Sequence, residues 1–132
     1  SHIHADGQYN DLLSVEDKHI KMKGNEVFKV AVNTLSKLVD ETLNKNNLDK
    51  TDIDWLVPHQ ANLRIIKAAA KKLSMSLDQV VVTVDKHANT SAASIPLALS
   101  SSLEKGVIQK DNVLALCAIG GGLTWGSCIL KI

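Results

Sequence analysis

Apolar positions recur every three or four residues from Val27 onward. Val27, Ala31, Leu35, Leu38 and Thr42 form one stripe, and Phe28, Val32, Val39 and Leu43 widen it. That period predicts an amphipathic helix over about 25–44. The polar run "NKNNLDKTD" ends it. "IDWLV" predicts a short strand over 53–57, closed by Pro58, which has no N–H to give to a ladder. The helical period returns over about 60–73, with Leu63, Ile66, Ala70 and Leu73 facing inward. Arg64, Lys67 and Lys71 share another face of that helix, with Lys72 alongside. "VVVTV", residues 80–84, is continuous and β-branched, as suits a strand covered on both faces. A loop through His87 and Asn89 leads to a third helix over about 90–105. Pro96 inside it implies either a first turn near Ser94 or a kink, and Gly106 is its stop signal. "NVLALCAI" and "LTWGSCILKI" predict two last strands, antiparallel because their glycine connection is short.

The order helix, strand, helix, strand, helix, strand, strand implies an α/β fold. Its sheet is expected to be mixed, mostly parallel with an antiparallel last strand, and covered by helices. The 132 residues suit one core. Residues 1–22 show no clean period and are expected to be an irregular lead-in to a domain over 23–132. Val113 to Leu130 carries no charge, but four glycines interrupt it, so two buried strands fit better than a membrane span.

Charge and cysteine content narrow the chemistry. The net charge of +1 calls for neither nucleic acid nor membrane. The few aromatics, Tyr9, Phe28, Trp55 and Trp125, do not interleave with the basic residues. Cys117 and Cys128 sit in apolar surroundings without a metal or redox spacing, as in a reducing, cytoplasmic protein. The start "SHIHADGQYN" lacks the pattern of a signal peptide. His2, His4, His19 and His87 share no familiar ligand spacing, so no metal is expected.

Two polar residues stand out. His59 follows the strand over 53–57, and Asn89 follows the strand expected over 80–84. In a parallel α/β sheet both lie at the carboxyl rim, where ligands bind. Each also precedes a helix, whose dipole disfavours a charged imidazole. A neutral imidazole and a carboxamide can each donate an N–H, and two such donors aimed at one carbonyl oxygen form an oxyanion hole. Capping the helix that follows would compete for the same Asn89 amide, and the donor role is the favoured reading.

"GNEVFKVAV", "DWLVPHQANLRII", "AKKLSMS", "VVVTVDKHANTSAASIPLAL" and "GGGLTWGS" together resemble the C-terminal half of β-ketoacyl-acyl carrier protein synthase III, from about Met22 to Ile132. The resemblance implies half of a thiolase-like fold. It also implies decarboxylative Claisen condensation of acetyl-CoA with malonyl-acyl carrier protein, the step that starts fatty acid biosynthesis. His59 and Asn89 match the catalytic pair that stabilises the enolate. Gly24, Ala61 and Asn62 match the wall of a pantetheine tunnel, and Gly120, Gly121 and Gly122 would lie against the reacting thioester. Arg64, Lys67, Lys71 and Lys72 match a docking face for the acidic carrier protein. No permanent cofactor is implied, only coenzyme A and phosphopantetheine thioesters as substrates.

Two positions depart from the family: Ala88 stands where glycine is usual, and Ile119 where an aromatic often precedes the glycine loop. The family's nucleophilic cysteine lies in an N-terminal half that this chain lacks, as do the main contacts of the usual homodimer. Cys117 is one residue out of register to replace it. The chain alone is therefore expected not to condense. Three alternatives stay open. The basic face is either a docking site, possessed even by a noncatalytic carrier-protein-binding fragment, or a solvated helix face. The glycine run is either a substrate wall or a hairpin turn. The primer is acetyl or another acyl group.

Overall fold

The computed structural model describes residues 1–132. The strands are β1 (His2–Ala5), β2 (Leu13–Glu16), β3 (His19–Met22), β4 (Trp55–Pro58), β5 (Val113–Gly120) and β6 (Thr124–Lys131). The helices are α1 (Gly24–Lys45), α2 (Leu63–Lys72), the single-turn α3 (Val84–His87) and α4 (Ser94–Glu104). Four strands form a sheet in the order β1-β6-β5-β4, with β4 parallel to β5 and the other two pairings antiparallel.

Strand alternation sorts the core onto two faces. Leu56, Ala115 and Cys117 pack with Leu35, Leu38 and Val39 of α1 and Ile66, Ala69 and Ala70 of α2. Their immediate neighbours Val57 and Leu114 pack on the other face with Val81, Ala98 of α4 and Ile108. The stripe read from the sequence of α1 is the buried one: Ala31, Leu35, Leu38, Val39, Thr42 and Leu43 are all buried. The buried Thr42 hydroxyl is satisfied by the Leu38 carbonyl and the Ser127 hydroxyl. Pro96 falls in the first turn of α4, where its missing N–H costs nothing, and Gly106 leaves the helix at φ +66.

The α/β class and the mixed sheet hold, but three local expectations fail. Residues 1–22 are not irregular: β1 adds the edge strand, and β2 and β3 form a separate hairpin across Asp17 and Lys18, both at positive φ. The run 80–84 is no ladder strand. It makes one parallel bridge, Leu56 to Val80, and turns into α3. With that ladder missing, parallel pairing is limited to β4 with β5 and this bridge. Helix α2 begins at Leu63 rather than near Gln60, so Leu63 lies at its exposed first turn instead of facing inward.

Candidate active site

Pro58 ends β4, and the His59 N–H continues the pairing by donating to the Cys117 carbonyl at 2.7 Å. This fixes the His59 backbone beside β5. Its ring is half-buried, and Nδ1 lies 2.6 Å from Oγ of Ser94, the first residue of α4. The Gln60 N–H also donates to Ser94 Oγ, at 3.3 Å. The hydroxyl keeps its own proton to give, and in the tautomer where it donates to His59 Nδ1 the ring proton lies on Nε2. Burial lowers the His59 pKa, so the imidazole is held neutral. That cause replaces the helix dipole expected from the sequence: α2 starts four residues later and is capped by Asn62, whose Oδ1 accepts from the Ile65 N–H at 2.9 Å.

Gln60, wholly buried, ties the two rim loops together. Its amide NH2 donates to the carbonyls of Pro58 (2.8 Å) and Val81 (3.0 Å). Its Oε1 accepts from the N–H groups of Thr83 (2.8 Å) and Val84 (3.0 Å). A side chain thus takes the hydrogen bonds that a neighbouring strand would take, which is why 80–84 leaves the sheet. Sequence reasoning missed both Gln60 and Ser94. All their side-chain contacts but that of Gln60 with Pro58 span twenty or more positions and leave no periodic mark, although the two residues stand inside "PHQAN" and "TSAAS".

Asn89 is exposed at the tip of the loop between α3 and α4. Its Oδ1 accepts from the Ser91 N–H at 3.1 Å. The turn-forming role therefore occupies the oxygen only and leaves the NH2 group available to donate. Asn89 does not cap α4, whose N-cap is Ala93 without a side-chain bond, so the capping role expected from the sequence is not the one the structure shows. Ala88 just before it has φ +57 and ψ −161, a region essentially reserved for glycine. Relief of a strain of about 1–3 kcal/mol should exceed the entropy that glycine adds to the unfolded chain, about 0.4–1 kcal/mol. Ala88→Gly is accordingly expected to raise the unfolding midpoint, by about 1 kcal/mol of stability in urea titrations. An unchanged or lowered midpoint would show that the loop stores no strain there.

The remaining site candidates fall in separate surroundings. Gly121 and Gly122 line a hollow of about 520 Å³ with Asn10, Leu13, Ser14, Val15, Glu16 and Ile20. Gly122 has φ +133, and a Cβ there would come 2.9 Å from Thr124 Oγ1, so this turn demands glycine locally. Gly120 ends β5. Gly24 opens α1, and Ala61 packs against the edge of the main core. His59 and Asn89 do not line the 520 Å³ hollow, nor a larger polar one of about 570 Å³ on α1. Arg64, Lys67, Lys71 and Lys72 are all exposed on α2. Arg64 lies over the Phe28 ring at 5.1 Å, and Lys72 donates to the Asn33 side chain, so two of the four also brace α2 against α1. Cys117 is buried and its thiol is pushed up to about 12, which leaves no thiolate at neutral pH.

The mixed α/β sheet with its covering helices is the arrangement of the C-terminal half of the thiolase-like fold of solved synthase III structures. The family described as 3-oxoacyl-[acyl-carrier-protein (ACP)] synthase III C terminal matches residues 43–132, and the chain belongs to it. It is 60% identical over 139 aligned positions to beta-ketoacyl-[acyl-carrier-protein] synthase III 1 of Vibrio cholerae, covering 99% of this chain and 44% of that protein. The synthase III of Aliivibrio fischeri is 59% identical over 140 positions, with the same coverage. The crystal structure of 3-oxoacyl-[acyl-carrier-protein] synthase III from Aquifex aeolicus superposes with a TM-score of 0.97 at 39% identity, over 99% of this chain and 43% of that one. The chain thus spans less than half the length of these relatives.

Proposed function

We propose that this chain supplies the enolate-stabilising half of an acyltransferase that joins acetyl-CoA to malonyl-acyl carrier protein and so initiates fatty acid biosynthesis. The observation that carries the reading is the pair of anchored donors. Ser94 holds Nδ1 of His59 and the Ser91 N–H holds Oδ1 of Asn89, which leaves Nε2–H and NH2 free. When malonyl thioester loses CO2, the electron pair of the broken C–C bond moves onto the thioester oxygen. His59 and Asn89 donate to that oxygen as its charge develops. The enolate carbon then attacks the acyl thioester on a cysteine of the companion half, and the cysteine thiolate leaves. Cys117, buried and protonated, takes no part.

On this reading Gly24, Ala61 and Asn62 border the pantetheine arm of coenzyme A or carrier protein. Gly120, Gly121 and Gly122 pass beside the thioester, with no metal or permanent cofactor. The companion half covers apolar surface that this chain leaves bare, including Ile3 at 82% exposure and Ile20 at 76%. The intact protein works in the cytoplasm as a homodimer. Without that half the chain does not condense. The test joins this chain to the N-terminal half of the Vibrio cholerae relative and measures acetoacetyl-carrier-protein formation, beside the 132-residue chain alone. Turnover by the joined protein only is the expected result, and acetyl transfer by the lone chain would overturn the reading.

The four exposed cations on α2 favour a second, narrower reading, a carrier-protein-binding module with no chemistry of its own. Both readings place the acidic carrier protein on this face. Arg64→Glu is expected to weaken carrier-protein binding by about tenfold or more at low salt, because it sets like charges against each other. Unchanged binding in a calorimetric titration would remove α2 as the docking face. Turnover by the joined protein separates the enzyme from the mere module.

A further inference from the structure

The edge of the sheet away from His59 gathers a second set of chemically able side chains. In β1, His2 and His4 are two positions apart and so share one face, while Ile3 points to the other. Helix α1 lies over the His face and presents Glu41. His4 Nε2 is 3.0 Å from one carboxylate oxygen of Glu41, and His2 Nδ1 is 3.7 Å from the other. The ligand atoms of the three residues all lie within 4.8 Å of one another. The two imidazoles are nearly parallel, with centroids 6.4 Å apart, and His4 stacks on Trp125 at 5.9 Å. His4 also stands directly opposite Trp125 in the β1–β6 ladder. Its ring is therefore held in place before any ligand arrives.

We propose that His2, His4 and Glu41 form a binding site for a first-row divalent cation, zinc foremost. Two imidazole nitrogens and one carboxylate oxygen are a donor set that suits zinc, nickel or cobalt and not magnesium or calcium. Tetrahedral bonds of about 2.0–2.1 Å require donors about 3.3–3.5 Å apart, so the observed cluster needs only small side-chain shifts to close on an ion. All three side chains are partly exposed, which leaves a path of entry and room for water as the fourth ligand. Lys37 and Lys45 stand one turn either side of Glu41 and bring positive charge to the neighbouring hollow. Asp40, the other carboxylate there, is already paired with Lys50 at 3.0 Å. Glu41 is thus the carboxylate left to face the histidines. An ion here would pin the edge strand to α1 and, through Trp125, stiffen the hairpin that carries the glycine turn. The HIH spacing looked unlike a ligand set in the sequence because β1 itself was not recognised as a strand.

Calorimetric titration of the metal-free protein with zinc chloride tests the site. One ion per chain is expected, with micromolar or tighter affinity and no heat with magnesium. Trp125 emission and the melting temperature should both change on binding. His4→Asn and Glu41→Gln should each weaken binding by about tenfold or more, by analogy with the loss from weaker outer contacts. His19→Ala and His87→Ala should leave it unchanged. Glu41→Gln alters a half-exposed helix position, so its fold, checked by circular dichroism, survives even if that of a β1 variant does not. No zinc heat, or zinc heat equal in Glu41→Gln and the unaltered protein, would reduce the cluster to a hydrogen-bonded ion pair.

Discussion

Gln60→Ala is expected to lower the free energy of unfolding by about 3–5 kcal/mol. The Gln60 amide has two donors and two acceptor sites, and all four are used, on Pro58, Val81, Thr83 and Val84. Truncation deprives two carbonyls and two N–H groups in a largely buried setting, each at about 1 kcal/mol or more. A domain of this size holds only about 5–15 kcal/mol in reserve, so the variant should stand near its limit. Gln60→Met separates the causes. Methionine fills a similar volume but makes none of the hydrogen bonds, so it should cost nearly as much as alanine. Were Met to cost less than about 1 kcal/mol in urea titrations, packing rather than hydrogen bonding would hold the two loops together. The same substitution should loosen the path from His59 to Asn89, because Gln60 holds the Val81 carbonyl and the Thr83 and Val84 N–H groups, and the ladder gives residues 80–84 only the bridge from Leu56 to Val80.

Gln60 also marks the boundary of what was legible in the sequence. Where stability comes from repeated burial, the pattern was sufficient. The α1 stripe, the β5–β6 hairpin and the Gly106 stop follow from period and turn chemistry. Where a single side chain replaces a strand, the pattern misleads. "VVVTV" has the composition of a covered strand, and Val80 and Val81 are indeed buried, yet the Val81 carbonyl and the Thr83 and Val84 N–H groups pair with Gln60 rather than with a strand. The β2–β3 hairpin escaped notice because its turn uses Asp17 and Lys18 rather than the glycine or asparagine that usually supplies positive φ. At the rim, His59 and Asn89 could be singled out as candidate donors by their place after apolar runs. What orients them, Ser94 and the Ser91 N–H, could not, because hydrogen-bond partners distant in sequence carry no local signal.

His59→Ala, in the protein that joins this chain to a cysteine-bearing half, is expected to reduce kcat for condensation by about 100- to 1000-fold with KM little changed. That is the usual loss when one oxyanion donor is removed, and it falls on kcat because the interaction strengthens only as charge develops. The pH profile is the sharper test. Donation to an enolate from Nε2 requires only that the ring proton be there, but Ser94 can donate to Nδ1 only while the ring is neutral. Burial lowers the His59 pKa from 6.5, so the neutral ring persists as the pH falls through 6.5 and is lost only below it. The acid limb assigned to His59, taken as the difference between the unaltered and His59→Gln proteins, should therefore lie below 6.5. Stability should move the same way. Between the folded value and 6.5 the unfolded chain binds more protons than the native one, so this group's contribution is complete above 6.5 and declines as the pH is lowered through that window. A limb above 6.5 would mean that burial does not set the protonation of His59, activity lost as the ring gives up its proton would mean that it works as an imidazolium, and a His59→Ala variant retaining a third of the activity would remove it from the reaction.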